Sequence, residues 1–480
     1  MKKNFNKILV AFTLSALVFS CSDDVLDQKP VDGDVVTPGE SPVTSEDKME
    51  KSVNGMFAKL ANSDAFGADL LVFGDLISSN VFVSETNDGY FRTTNAMSWN
   101  ASGSDFAIWD RLYDAVAAAN DVLNSTIAES SNVKQLKAQA HIGRGLSYFY
   151  LLNYYTANPT ANKNPELGIP IYTGNYDPTA TYGRLTIAES YDQVIKDLEA
   201  GIVTENETPK DKGYFSNTVA KFILSKVYLT RGATGDYQKA MDLANDVLTK
   251  SPSVYKLISK DDYVTYFTSE SSGVTENQPE TIWEAKQSPA NNPQVNEALS
   301  TFYAETGSHP SLLVRREVYN MFNDGDVRKS LMKTTGVPTN DDPNGVRLAK
   351  YPLLSDGTKF TQNIKVFRMT DALFVKWEAM IKSGQSAQAL SEINAFATER
   401  GGTTYSGDVL TALLTEKNKE FFGEGQRFLD LKRNNLGIIK NTNCFGNCTT
   451  EANSRIMTLP IPQSSMNLNR KMVQNPGWED

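Results

Sequence analysis

The chain has 480 residues, 40% of them hydrophobic and 22% charged, with 31 glycines and 19 prolines, a balance that fits a globular body and excludes disordered or collagen-like chains. A net charge of −10 argues against an extended basic surface for nucleic acid. Only two histidines occur, His141 and His309, which leaves little for histidine-dependent hydrolytic triads or histidine-rich zinc sites.

The first twenty residues read as a delivery signal. Lys2, Lys3 and Lys7 form a positive start, and Ile8 to Phe19 is an apolar stretch too short to span a bilayer. It ends at Ser20-Cys21, which looks like a bacterial lipobox with Cys21 as the lipidated residue, although Phe19 is bulkier than usual there; the alternative is plain secretion with a chance cysteine. Removing residues 1–20 takes three lysines and no carboxylate, so the remainder carries −13 instead of −10. Residues 21–45 then read as a tether: Asp23, Asp24, Asp27, Asp32 and Asp34 are interspersed with Pro30, Gly33, Pro38, Gly39 and Pro42, which oppose regular structure. Acidic residues behind a lipidated cysteine resemble the surface-export signal of Bacteroidetes lipoproteins; a solvated linker without an address is the other reading. With Cys21 lipidated, Cys444 and Cys448 remain, and in an exported protein that close spacing favours a local disulfide.

From Glu46 to the C-terminus the pattern is mostly helical, in one body spanning 46–480. Met49, Val53, Met56, Phe57 and Leu60 share a face behind the capping candidates Thr44 and Ser45. Phe106, Trp109, Tyr113, Val116, Asn120 and Leu123 repeat at helical steps, and Asn132 is a capping candidate for a helix over 133–155. An internal repeat shows near 219–250 and again near 370–400: helix, short glycine-containing turn, then a helix opening at Lys239-Ala240 or Gln388-Ala389. The fold class expected is therefore mostly α, a tetratricopeptide-like scaffold of helical pairs. Residues 251–363 differ, being rich in Ser, Thr, Asn, Pro and Gly, and predict irregular loops with a few short strands on the ligand-facing side.

Several longer motifs then resemble one family. EKNKEFFGEGQRFLDLKR at 416–433, Leu459-Pro460-Ile461-Pro462-Gln463, and Gln474-Asn475-Pro476-Gly477-Trp478 look like the C-terminal signature and ending of the SusD/RagB family. Arg144 to Tyr155 with Gly168-Ile169-Pro170, Asn120, and Glu280 to Glu284 also fit. Gly423, where that family usually has a bulky residue, and Trp377, where alanine is common, are departures that touch packing. The resemblance implies a lipid-anchored outer-membrane protein facing the cell exterior. It implies a non-catalytic glycan-binding role without a cofactor, handing oligosaccharides to a SusC-type TonB-dependent transporter. Some relatives capture peptides instead, and a lid acting through the transporter contact alone is a further alternative.

Candidate binding residues are aromatics in loops, since flat rings stack on pyranose faces while amides and carboxylates serve hydroxyls. Trp109, Trp283, Trp377 and Trp478 fall in apolar stripes or motifs and read as core. Trp99 lies in an aperiodic stretch from Asn87 to Asn100 that mixes aromatics with amides. It is a candidate platform, weighed against partial burial, with Asn100 for a hydroxyl and Tyr90 as an extension. Tyr303 is a second candidate, weighed against a plug over the core. Arg315 and Arg316 suit an acidic ligand or a helix start. Glu416, Glu420 and Glu424, at steps of four, offer either the paired carboxylates of a glycan-cleaving enzyme or structural ion pairs with neighbouring cations, the latter favoured. Asn323 to Asp326 and Asn340 to Asp342 read as turns rather than calcium loops, and no metal site is assigned.

Overall fold

The computed structural model describes residues 39–84, 89–250, 253–304, 306–307, 309–335, 344–444 and 446–479. The leader, Cys21, most of the tether, Asn87, Asp88 and the Asn340 to Asp342 stretch lie outside them.

The longer helices are α1 (Glu46–Leu60), α2 (Asp69–Ile77), α3 (Ile108–Leu123), α4 (Ser131–Tyr155), α5 (Ile187–Ala200), α6 (Asn217–Arg231), α7 (Asp236–Leu248), α8 (Lys260–Thr268), α9 (Met369–Lys382), α10 (Ser386–Glu399), α11 (Val409–Phe421) and α12 (Arg427–Arg433). Helix α1 starts where Ser45 accepts the Lys48 N–H, and buries Met49, Val53, Met56 and Leu60 on one side. Helix α4 is capped by Ser130, which accepts from Val133 N–H, and not by Asn132; the Asn132 amide instead donates to Glu46 Oε1 at 2.5 Å. The Ser130 hydroxyl also donates to Glu46 Oε2 at 3.2 Å, so the helix start is tied to α1 through both residues.

Packing follows chain order, α1 on α3, α3 on α4, and so on to α7, then α9, α10 and α11. Helix α7 packs directly on α9, so the helical succession closes across residues 251–363 as if that stretch were absent. This is the nearest-neighbour stacking of a helical repeat array, with an insertion projecting from it. Within the insertion run α8 and five short strands: β2 (Thr281–Ala285), β3 (Leu312–Val314), β4 (Met332–Thr334), β5 (Val346–Leu348) and, where the scaffold resumes, β6 (Ile364–Arg368). Strand β1 (Val81–Val83) from the N-terminal part joins an antiparallel sheet ordered β1-β3-β5-β4, with Val81 opposite Val314. Strands β2 and β6 pair antiparallel, and a small hairpin joins β7 (Ile438–Ile439) to β8 (Thr449–Thr450).

Buried polar links hold the layers. Asn120 on α3 accepts from Arg144 Nη1 at 2.7 Å and donates to Tyr172 O, while Arg144 grips Asp197 of α5 through Nε and Nη2. Three successive helices are thereby tied at one point. The two family departures are packing features, as expected. Gly423 has φ +81°, where a side chain would be strained, and a Cβ there would press on the Leu348 side chain. Trp377 is buried and donates from Nε1 to Glu392 at 2.7 Å.

Candidate functional site

The carboxylates Glu416 and Glu420 do sit one turn apart on α11, but Glu424 lies past the helix end, which falls at Phe421 before the left-handed Gly423. All three are enclosed by cations. Glu416 accepts from Arg328 Nη1 at 2.7 Å and from the Tyr405 hydroxyl. Glu420 faces Arg368, Arg328 and Arg400 at 3.1–3.5 Å, and Glu424 takes Arg368 Nε at 2.9 Å and Lys350 Nζ at 2.6 Å. Burial disfavours the charged form of Glu420, but Arg400, Arg368 and Arg328 outweigh it and hold the carboxyl at about 2. A second set, Asp430 with Lys417 and Arg433, behaves alike, with Asp430 also held at about 2 against burial. These groups are buried and offer a substrate no surface, and Glu420 and Asp430 hold no proton near neutrality; the first set locks α11 to β6 and the insertion, the second joins α11 to α12.

The segment before α3 forms a different kind of region. A short helix at Arg92–Asn95 leads into Met97, which adopts φ +50°, then Trp99 and a tight turn in which Asn100 and Gly103 exchange both backbone hydrogen bonds. Asp105 fastens the base by accepting from the N–H and hydroxyl of Thr94, each at 2.8 Å. Opposite this turn runs the C-terminal Leu-Pro-Ile-Pro segment and the short helix Gln463–Leu468, joined to it where Gln463 N–H donates to Ala101 O at 2.8 Å.

Between them is a cavity of about 510 Å³. One wall is Trp99, the Asn100–Ser104 turn and Phe106; the other is Leu459, Pro460, Pro462, Gln463, Ser464 and Asn467; Trp109, Asp110 and Tyr155 line it between. Asn100, Gln463 and Asn467 are exposed. The Asn100 Oδ1 accepts from Ser102 N–H at 2.9 Å, and its Nδ2 has no hydrogen-bond partner among the described residues. Asp110 is the one carboxylate in the lining, and its carboxyl is pushed up by burial and by neighbouring Asp114. No lysine or arginine lines the cavity among the described residues.

Trp99 and Asn100 are thus brought together at one cavity, whereas Tyr90 and Tyr303 are not. Trp99 is only 3% exposed, with Phe73 edge-on at 5.8 Å, so it contributes an edge of the wall and not an open platform. Tyr90 is half-buried against Phe302 at 5.2 Å and His309 at 4.9 Å, away from the cavity lining. Tyr303 is fully buried against Tyr351 and cannot stack on a ligand; the core-plug alternative is the observed one. Trp109, Trp283, Trp377 and Trp478 are buried as expected, although Trp109 also reaches the cavity.

Arg315 is buried and donates to Thr442 O from the start of the short helix Arg316–Tyr319, while Arg316 donates to Asn344 O. Asp324 and Asp326 are engaged by Lys329 and Arg328 in a turn, not arranged around a cation. His141 pairs with Asp197, and His309 meets Asn296. Cys444 and Cys448 form the expected disulfide. The residues that sequence reading missed are Asp110, Tyr155 and the whole second wall at 459–467, which lies more than 350 positions from Trp99.

The helical-pair scaffold with its insertion defines a tetratricopeptide-like class of binding scaffold. A family model described as "Starch-binding associating with outer membrane" matches residues 24–229, and the SusD family model matches residues 174–478. The chain belongs to the SusD family. A SusD-like protein of Bacteroides ovatus is 27% identical over 264 residues, which cover 51% of this chain and 44% of that protein, so the match spans less than half the relative's length. Among solved structures, a SusD superfamily protein of Bacteroides thetaiotaomicron superposes with TM-score 0.78 at 25% identity, covering 90% of this chain and all of that one. A SusD-like carbohydrate binding protein of Bacteroides vulgatus gives 0.74 at 21%, covering 89% and 97%. Surface glycan-binding protein A of Bacteroides fluxus gives 0.72 at 18%, covering 90% and 99%. The last two likenesses concern the fold. No helix among the described residues is long and apolar enough to cross a membrane.

Proposed function

We propose that this protein is a non-catalytic, cell-surface glycan-binding lipoprotein that captures oligosaccharides at the Trp99–Asn100 cavity and delivers them to a SusC-type TonB-dependent transporter. The observation that carries this reading is the cavity itself. Ring edges and prolines supply apolar contact, and the exposed amides of Asn100, Gln463 and Asn467 suit hydroxyl groups. A volume of about 510 Å³ suits a short oligosaccharide segment.

Support for binding without turnover comes from the same lining. Glycoside hydrolysis by the usual route needs two carboxyl groups, roughly 5–9.5 Å apart, and among the described residues the lining offers Asp110 alone. One carboxylate with no cation favours neutral sugars and disfavours uronates or sulfated chains through like-charge repulsion. Family membership and the relatives named for carbohydrate or glycan binding support the ligand class. Anchoring through Cys21 and the acidic tether complete the reading: acyl chains partition into the outer membrane, and the tether lets the body reach the transporter.

The test is a screen of the purified protein against plant, microbial and host polysaccharides by affinity electrophoresis, with a peptide mixture run in parallel by calorimetry. Retardation by a neutral glycan without release of products is expected. Heat with peptides and no retardation would move the protein to peptide capture, and product release would revive the enzyme.

A further inference from the structure

We propose that the β7–β8 hairpin, closed at its tip by the Cys444–Cys448 disulfide, is the positioning clamp of the cavity's first wall. It rests on the cavity reading above for its relevance to binding, but not for its physical content.

The first wall needs holding. Met97 sits in the left-handed region with φ +50°, a conformation unfavourable for a non-glycine residue that persists only where its surroundings impose it. Within the wall, Met97 N–H donates to Thr94 O and Ser98 N–H to Thr93 O, which closes the turn; Val83 N–H donating to Asn95 Oδ1, Gln463 N–H donating to Ala101 O, and Phe73 against Trp99 hold its flanks, which leaves the Ala96–Met97 carbonyls to be seated. The hairpin holds those carbonyls. Asn447 donates from Nδ2 to Met97 O at 3.0 Å and from its backbone N–H to Ala96 O at 3.4 Å. The Lys440 ammonium, buried, donates to Asn95 O at 3.3 Å, and the Thr450 hydroxyl meets Met97 Sδ at 3.6 Å. Three consecutive residues, Asn95 to Met97, are therefore gripped from one hairpin, two positions before Trp99.

The disulfide fixes the gripping atoms. Gly446 and Asn447 lie inside the five-residue ring it closes, and Lys440 N–H donates to Cys448 O at 2.8 Å, tying the ring to the strand stem. Gly446 has φ +96°, and a Cβ there would stand 2.7 Å from Ala96 O. Tip and wall are thus in contact at a spacing only glycine permits. With the ring open, the stem has just two paired residues per strand to direct the tip, too little to hold it alone.

The test is hydrogen exchange on the purified full chain, comparing the oxidised protein, the same protein after a phosphine reductant, the Cys444→Ser/Cys448→Ser variant, and Asn447→Ala. Opening the ring is expected to accelerate exchange of amides 96–103 by about tenfold or more while the helices keep their protection and Tm moves little. Asn447→Ala, which keeps the disulfide, is expected to loosen the same amides to a smaller degree. Exchange at 96–103 that stays unchanged when the ring opens would overturn the clamp, as would loosening spread over the whole chain. No ligand enters this readout, so it stands apart from the glycan assignment. Loosened amides with undiminished retardation by a glycan would keep the clamp and remove the cavity from the binding site.

Discussion

The α11–β6 region and the cavity rim are both rich in polar groups, and they use them in opposite ways. Around Glu420 every carboxylate faces a guanidinium or ammonium and is sealed from solvent, so the groups act on one another. Around Asn100 the polar groups are amides, hydroxyls and the Asp110 carboxylate at the surface; Gln463 Nε2 donates to Asn467 Oδ1 at 2.9 Å, and hydrogen-bonding capacity is left over. Carboxylate spacing alone would place the chemistry in the first region. Unsatisfied hydrogen-bonding capacity instead favours the second, which is where the proposed binding site lies.

The comparison can be broken most forcefully at Arg368, which serves Glu280, Glu420 and Glu424 together. Arg368→Met leaves these carboxylates short of their partner in a buried site and should lower stability by about 3–5 kcal/mol, measured by denaturant unfolding. Loss of glycan binding in that variant should track the unfolded fraction only. A comparable effect is expected from acid. Glu420 and Asp430 are held at about 2, below their ordinary values of 4.5 and 3.8. The unfolded chain takes up these protons first, so their contribution is full above about 4.5 and is lost as pH falls toward 2. Unfolding followed across that window should show the slope, and a flat profile would mean that the network is not ionised as described.

At the rim the effects should fall on affinity. Asn100→Ala removes one or two hydrogen bonds to ligand and should weaken glycan binding by about 1 kcal/mol, roughly fivefold, with Tm unchanged. Asp110→Asn should leave neutral glycans nearly unaffected and strengthen binding of acidic ones relative to the wild type, by a few tenths to about 1 kcal/mol seen by calorimetry. Trp99→Ala is a poor probe of the ligand, because truncating so buried a ring should by itself cost about 3–5 kcal/mol of fold stability.

The helical frame was legible because apolar residues at steps of three and four leave little choice, as in Met49, Val53, Met56 and Leu60. Ion pairing of Glu416 and Glu420 was also readable, since like charges on one helix face require cations nearby. What could not be read was burial in loops. Trp99 and Tyr303 both lie in polar surroundings along the chain, yet Phe73, 26 residues before Trp99, and Tyr351, 48 residues after Tyr303, cover them. The second wall of the cavity was hidden for the same reason. Its Leu-Pro-Ile-Pro segment looks like a terminal fastening, which it is, and only tertiary packing shows that Gln463 and Asn467 face the turn at Asn100.

The central claim is that the space between these two walls holds the glycan. The most direct measurement is calorimetry of the Asn100→Ala/Gln463→Ala double variant with whichever polysaccharide retards the wild type, alongside its Tm. The account predicts an unchanged Tm and affinity lowered by about 2 kcal/mol, some thirtyfold, as two exposed amides are removed from one site. Undiminished affinity in the double variant would contradict it and place the binding surface elsewhere on the scaffold.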